Sequence, residues 1–173
     1  MSLNLRVGRI KYRGVLDFNA IYHEIFHALG GMGYTVIETK YKHKPPVDFI
    51  LNVNAKKKVT GYVMYVVDVA ATSQNFTYVD MTIDGKKKKM FKGNLRIDIY
   101  PRIETDYEGN WSTGPLMEKF KNFFDNYIYQ WRLIFTHHDA LHHEGLHLFD
   151  DLKKILNEQG RSLGYERLEE DHG

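Results

Sequence analysis

The sequence predicts an α+β fold: an antiparallel meander sheet of about six strands, with one N-terminal helix and two C-terminal helices packed on it. Three observations predict it. A helical apolar period starts after Asp17 and stops at a glycine cluster; apolar residues then alternate in runs from Tyr34 to Ile103; and the helical period returns after Pro115. Strands that follow one another across short turns pair as antiparallel neighbours, because parallel pairing needs long crossovers.

Taking the elements in order, Leu3, Leu5 and Val7 alternate up to Gly8, and Ile10 and Tyr12 continue on the opposite parity, which predicts a strand bulged at Gly8. Asp17 is a good N-cap for a helix carrying Phe18, Ile21, Tyr22, Ile25 and Leu29 on one side, ended by Gly30, Gly31 and Gly33. Strands follow at Tyr34–Tyr41 and Val47–Asn54, divided by Pro45-Pro46. Tyr62–Val69 is apolar on both parities and reads as a central strand, and Phe76–Ile83 is next. Asp84-Gly85 is a tight-hairpin signal leading into Lys86–Phe91 and then Leu95, Ile97 and Ile99. Pro115 suits the first turn of a helix whose apolar arc is Leu116, Phe120, Phe123, Phe124, Tyr127, Trp131 and Ile134. A last helix carries Leu141, Leu148, Leu152, Ile155 and Leu156 and is expected to close at Gly160. The expected organisation is a single domain over 1–160 and a tail over 161–173.

Composition limits function. The net charge is +2, so partners held by a whole-molecule field are not expected. With no cysteine, disulfides, thiolate metal sites and cysteine nucleophiles are excluded. The first residues lack the continuous apolar stretch of a signal peptide, and no run approaches membrane-spanning length, so a cytoplasmic protein without a membrane partner is expected.

Two HExxH matches raise zinc chemistry. His23 and His27 are four apart on the first helix, where they share a face and could ligate one zinc, with Glu24 as general base on the bound water. The apolar arc turns both histidines towards solvent, and a third ligand is needed; Glu38 is the nearest downstream carboxylate. The expectation is therefore no cofactor and no catalytic residue, with a zinc-dependent hydrolase as the alternative. His143-Glu144-Gly145-Leu146-His147 is the second match, in a run with His137, His138 and His142, and Gly145 weakens its helix.

Basic residues concentrate in Lys86, Lys87, Lys88 and Lys89 and in Lys56, Lys57 and Lys58, beside predicted turns. They could grip phosphates while Tyr78 or Phe91 stacks a base, or serve only to keep a hairpin soluble. Tyr129 and Leu133 point off the aromatic helix's packed stripe and are candidates for a partner surface. The β-α-meander-α order also fits a helix-grip shape around a small apolar ligand.

Three segments, RVGRIKYRGVLDFNAIYHEIF, IDGKKKKMFKGNLRIDI and DYEGNW with the aromatic helix after it, resemble a family of small α+β proteins encoded by tailed phages and some archaeal genomes. That family has no established activity, so the resemblance implies a setting and no site. It implies a virion component, such as a tail or baseplate subunit, made in the host cytoplasm and incorporated with other protein subunits in a homo- or hetero-oligomer. The expected function is a non-enzymatic structural or assembly protein, with the zinc hydrolase and nucleic-acid binding as alternatives.

Overall fold

The structure, a computed structural model, describes residues 2–5, 7–44, 48–83, 85–108, 136–163 and 165–172, with the single positions 119 and 123. Its elements are β1 (Ser2–Asn4), β2 (Gly8–Leu16), α1 (Phe18–Gly31), β3 (Thr35–Lys44), β4 (Asp48–Lys58), β5 (Val63–Ile83), β6 (Lys86–Thr105), α2 (His138–Leu163) and β7 (Tyr165–His172). Among the described residues all strand pairs are antiparallel and form one sheet in the order β3-β4-β5-β6-β2-β7, with β1 beside the far end of β6. The meander is thus β3 to β6, and the N-terminal strands return to close its open side.

Several expectations change. Two predicted runs either side of residues 70–75 are one strand of 21 residues, and its partner β6 is likewise continuous over 20. Phe76 stays fully buried across the register shift between Gln74 and Thr77, so the strand bends without ending. The parity change near Gly8 falls between β1 and β2, which both pair with β6 in registers that differ by one residue. Gly160 is buried inside α2, which continues to Leu163. Of the residues expected as a tail, 161–163 end α2 and Tyr165–His172 form β7, paired with β2 from Gly8↔His172 to Gly14↔Tyr165. Among the described residues there are two α-helices, and the second is followed by a strand. The helix expected from Pro115 lies outside the described residues apart from positions 119 and 123, where Phe123, expected on the packed arc, is exposed.

The two described helices, α1 and α2, lie on one face of the sheet. α1 begins where Asp17 accepts from the backbone N–H groups of Asn19 (3.1 Å) and Ala20 (3.4 Å). It ends in a Schellman turn: Gly33 at φ 84° lets Tyr34 N–H reach Leu29 C=O at 3.0 Å while Gly33 N–H reaches Gly30 C=O at 3.0 Å. Ile21, Ile25 and Leu29 from α1, and Leu141, Leu148, Phe149, Leu152 and Leu156 from α2, meet the inward residues of β2, β4, β5 and β6 in one buried cluster. Val63 to Val67 are buried on both faces of the sheet, as an internal strand requires. Gly145 lets α2 approach the sheet: a Cβ there would stand 2.5 Å from Val7 Cγ2 and 3.2 Å from Pro101 Cγ. Gln159 fastens the two helices together, accepting from Asp17 N–H at 2.9 Å and donating to Asp17 C=O at 3.4 Å. No helix among the described residues is long and apolar enough to cross a membrane.

Candidate functional site

The first HExxH occupies the outer side of α1. Ile21, Ile25 and Leu29 face the core, so the helical period turns His23 and His27 outward, where both are exposed; Glu24 is half-buried. His23 touches the ring of Tyr22, and Tyr22 in turn donates to Glu38 at 3.1 Å. Glu38 therefore serves the tyrosine. Among the described residues no group of three or more histidines, aspartates and glutamates is placed to hold a metal ion.

The second HExxH is divided by its helix. His143 and His147 are exposed, whereas Glu144 turns towards the sheet with only 24% of its side chain exposed. One carboxylate oxygen accepts from Tyr34 Oη at 2.5 Å and the other from Lys57 Nζ at 2.7 Å, and the ammonium also lies 5.3 Å from the centre of the Tyr34 ring. Next to this trio, Tyr65 Oη and His137 Nδ1 are 2.8 Å apart. Burial, then the carboxylate of Glu144, raises the Tyr34 hydroxyl well above the ordinary tyrosine range. The same causes push Tyr65 up to about 12, and burial lowers His137. With each oxygen already holding a donor, Glu144 tethers α2 to α1's exit and to β4, and the cluster works as a polar clamp.

The two lysine runs are taken apart by strand alternation. Lys57 is the clamp residue, while Lys56 and Lys58 point to the opposite face, Lys58 pairing with Glu108 at 3.2 Å. Lys86, Lys87, Lys88 and Lys89 are exposed at the head of the β5–β6 hairpin, and Lys88 is ion-paired with Asp17. Phe91, considered above for base stacking, is in the core; its cross-strand neighbour Tyr78 is 47% exposed. Tyr78 and Tyr41, itself 50% exposed, line a cleft with Phe18, Asn19 and Lys89. Tyr129 and Leu133 lie outside the described residues.

A larger basic surface arises from residues dispersed in sequence. The register places Arg9, Lys11 and Arg13 of β2, Lys92 and Arg96 of β6, and Lys40 and Lys42 of β3 on the sheet face away from the helices. Among the described side chains of that region only Asp98 and Glu169 oppose them. Asp98 is 5% exposed and accepts from Arg9 Nε at 2.6 Å and Arg96 Nε at 2.7 Å, so one carboxylate orders two guanidiniums. Glu169 stands 3.9 Å from Lys11. Between the rims are uncharged Asn52, Thr72, Gln74 and Asn94. Lys11, Arg13, Arg96, Thr72, Gln74 and Asn94 border a depression of about 390 Å³, with Glu169 at its edge. Further along the face, Arg102 pairs with Asp68 and, at 2.9 Å, with Glu104, so one guanidinium there meets two carboxylates.

Compared with family models, with curated proteins and with solved structures, the chain matches none.

Runs of lysine direct attention to the turns, but the open face is carried by alternation. RIKYR puts three cations on one parity of β2 and KYK two on one parity of β3, and this is the sequence signal that locates it. The clamp has no comparable signal, because its residues come from four separated segments and only the helix-to-sheet approach unites them.

Proposed function

We propose that the protein is a non-enzymatic assembly component that binds neighbouring protein subunits through the β5–β6 arm and the outer edge of β3. One observation carries this reading. Among the described residues, β4 pairs with β5 only as far as Gln74 and β2 pairs with β6 only as far as Phe91, so there Val79–Ile83 and Lys86–Met90 pair only with each other. Five residues per strand make an arm of about 17 Å. A two-stranded ribbon is marginal in water unless something packs on it, and this one presents Tyr78 at its root beside Tyr41. β3 ends the sheet over ten residues, with Ile37 and Tyr41 exposed, which is a template for strand or side-chain docking. The family resemblance extends the proposal to a subunit of a tailed-virus particle, in its tail or baseplate.

Light scattering after size exclusion, over a concentration series, tests the reading. The intact chain self-associates or binds a co-expressed neighbour, and replacing residues 79–90 by Asn-Gly abolishes that association while the far-ultraviolet spectrum keeps its strand and helix content. A chain that stays monomeric throughout and is absent from purified particles by mass spectrometry would refute it.

A further inference from the structure

We propose that the open face of the sheet binds single-stranded nucleic acid, with the phosphates held by the basic rims and a base seated in the depression between β2, β6 and β5. The surface is separate from the arm and shares β3 with the docking edge, using the face of that strand and not its outer backbone, so it does not depend on the assembly reading.

Charge is the first argument. The described side chains of the region are seven cations against Asp98 and Glu169, a local excess far above the +2 of the whole chain. Arg9 and Arg96 share Asp98, so that trio keeps one positive charge and two oriented guanidiniums. Oriented guanidiniums suit phosphate oxygens, which accept forked donors. The remaining cations, Lys11, Arg13, Lys40, Lys42 and Lys92, are exposed, so an incoming backbone meets them without dismantling the core.

Geometry is the second. From β2 across β6, β5 and β4 to β3 there are four strand spacings, or about 19 Å between the rims. A phosphodiester chain crossing the strands meets cations at both ends and neutral groups in the middle. The depression of about 390 Å³ is of the size that takes one small ligand, and its floor offers the hydroxyl of Thr72 and the amides of Gln74 and Asn94. Amide side chains pair with base edges, which are available in a single strand and mutually occupied in a duplex. That floor favours an unpaired strand over a duplex, and it favours nucleic acid over an anionic lipid surface, which would present phosphates with no base edges.

The test uses the full chain and a fluorescein-labelled 12-nucleotide single-stranded DNA of mixed sequence, followed by anisotropy from 50 to 200 mM salt. The same DNA as a duplex and vesicles containing phosphatidylserine serve as comparison arms. The single strand binds with a steep salt dependence. K11A/R13A and K40A/K42A each weaken binding at least tenfold, and each lowers the slope of log K against log salt by about 1.4, the value for two lost contacts at ~0.7 per phosphate on a single strand. The substitution of Lys86, Lys87, Lys88 and Lys89 together by alanine changes affinity less than twofold. Absence of binding at 50 mM salt, binding that both open-face variants leave intact, equal or tighter binding of the duplex, or vesicle binding with the same dependence on the rims and no oligonucleotide binding would each overturn the proposal.

Discussion

Gly145→Ala is expected to destabilise the protein although alanine is the better helix residue. The added Cβ would fall 2.5 Å from Val7 Cγ2 and 3.2 Å from Pro101 Cγ, against an ordinary carbon contact of about 3.5 to 4.0 Å. α2 must withdraw by about 1 Å, and Leu141, Leu148 and Leu152, which are fully buried on the same helix, must withdraw with it. Overpacking of this kind costs about 1 to 3 kcal/mol, and the severity of the Val7 approach puts this site at the upper end. Replacing glycine in a helix returns about 1 kcal/mol. The net loss is about 2 kcal/mol, or a fall in Tm of about 4 to 8 °C for a chain of this length. Urea denaturation of Gly145→Ala, Val7→Ala and the double variant reads it directly. In the double variant the clashing methyl is gone, so the two losses combine to less than their sum, with a coupling of about 1 kcal/mol or more. A Gly145→Ala protein as stable as the parent, or strict additivity with Val7→Ala, would show that the helix does not rest on Val7.

Three further outcomes are expected. Glu144→Ala leaves Tyr34 and Lys57 without their shared acceptor and should cost about 1 to 3 kcal/mol by chemical denaturation, with Glu144→Gln costing less; a change below about 0.5 kcal/mol would mean that the clamp bears no weight. In alkali, Tyr34 and Tyr65 hold their protons above the ordinary tyrosine value of 10.0. Between pH 10 and about 12 the unfolded chain has therefore released protons that the folded chain keeps at these groups, so stability falls as pH rises. Absorbance at 295 nm should fall short of full tyrosine ionisation before unfolding by at least Tyr34 and Tyr65, and Tyr65→Phe should remove one of the late group. Finally, Glu169→Gln removes the exposed carboxylate at the edge of the depression and should tighten binding of the 12-nucleotide strand about two- to fivefold at 50 mM salt; weaker binding would exclude the open face.

Much of the fold could be read from local chemistry. Asp17 caps α1, Gly33 ends it, Gly85 turns the long hairpin, and the two-parity apolar run after Tyr62 marks an internal strand, because each of these is decided within a few residues. β7 could not be read this way. Its YERLEEDH stretch lacks the alternation of a strand with a buried side, and it is a strand because β2 offers it a free row of backbone donors and acceptors. Gly145 shows the same limit: the helix period counts it as a weakness, and only the distance to Val7 reveals its use. Of the candidate residues, His23 and His27 face outward, as the phase of α1 requires. Those judged by clustering did not stay together, since alternation sent Lys57 to one face and Lys56 and Lys58 to the other.

The position of β2 in the sheet also has a bearing on biosynthesis. Its partner residues on β6 are 75 to 91 positions downstream, from Leu16↔Phe91 to Gly8↔Ile99, and its other neighbour is β7. At a synthesis rate of about 5 to 20 residues per second, Ile10, Tyr12 and Leu16 emerge roughly 4 to 18 s before β6 exists to cover their strand. Such non-local pairing slows folding and leaves a sticky segment waiting on the ribosome. Arg9, Lys11 and Arg13, spaced between those apolar residues, give the nascent strand the mutual repulsion that keeps neighbouring chains on a polysome apart until its partner arrives.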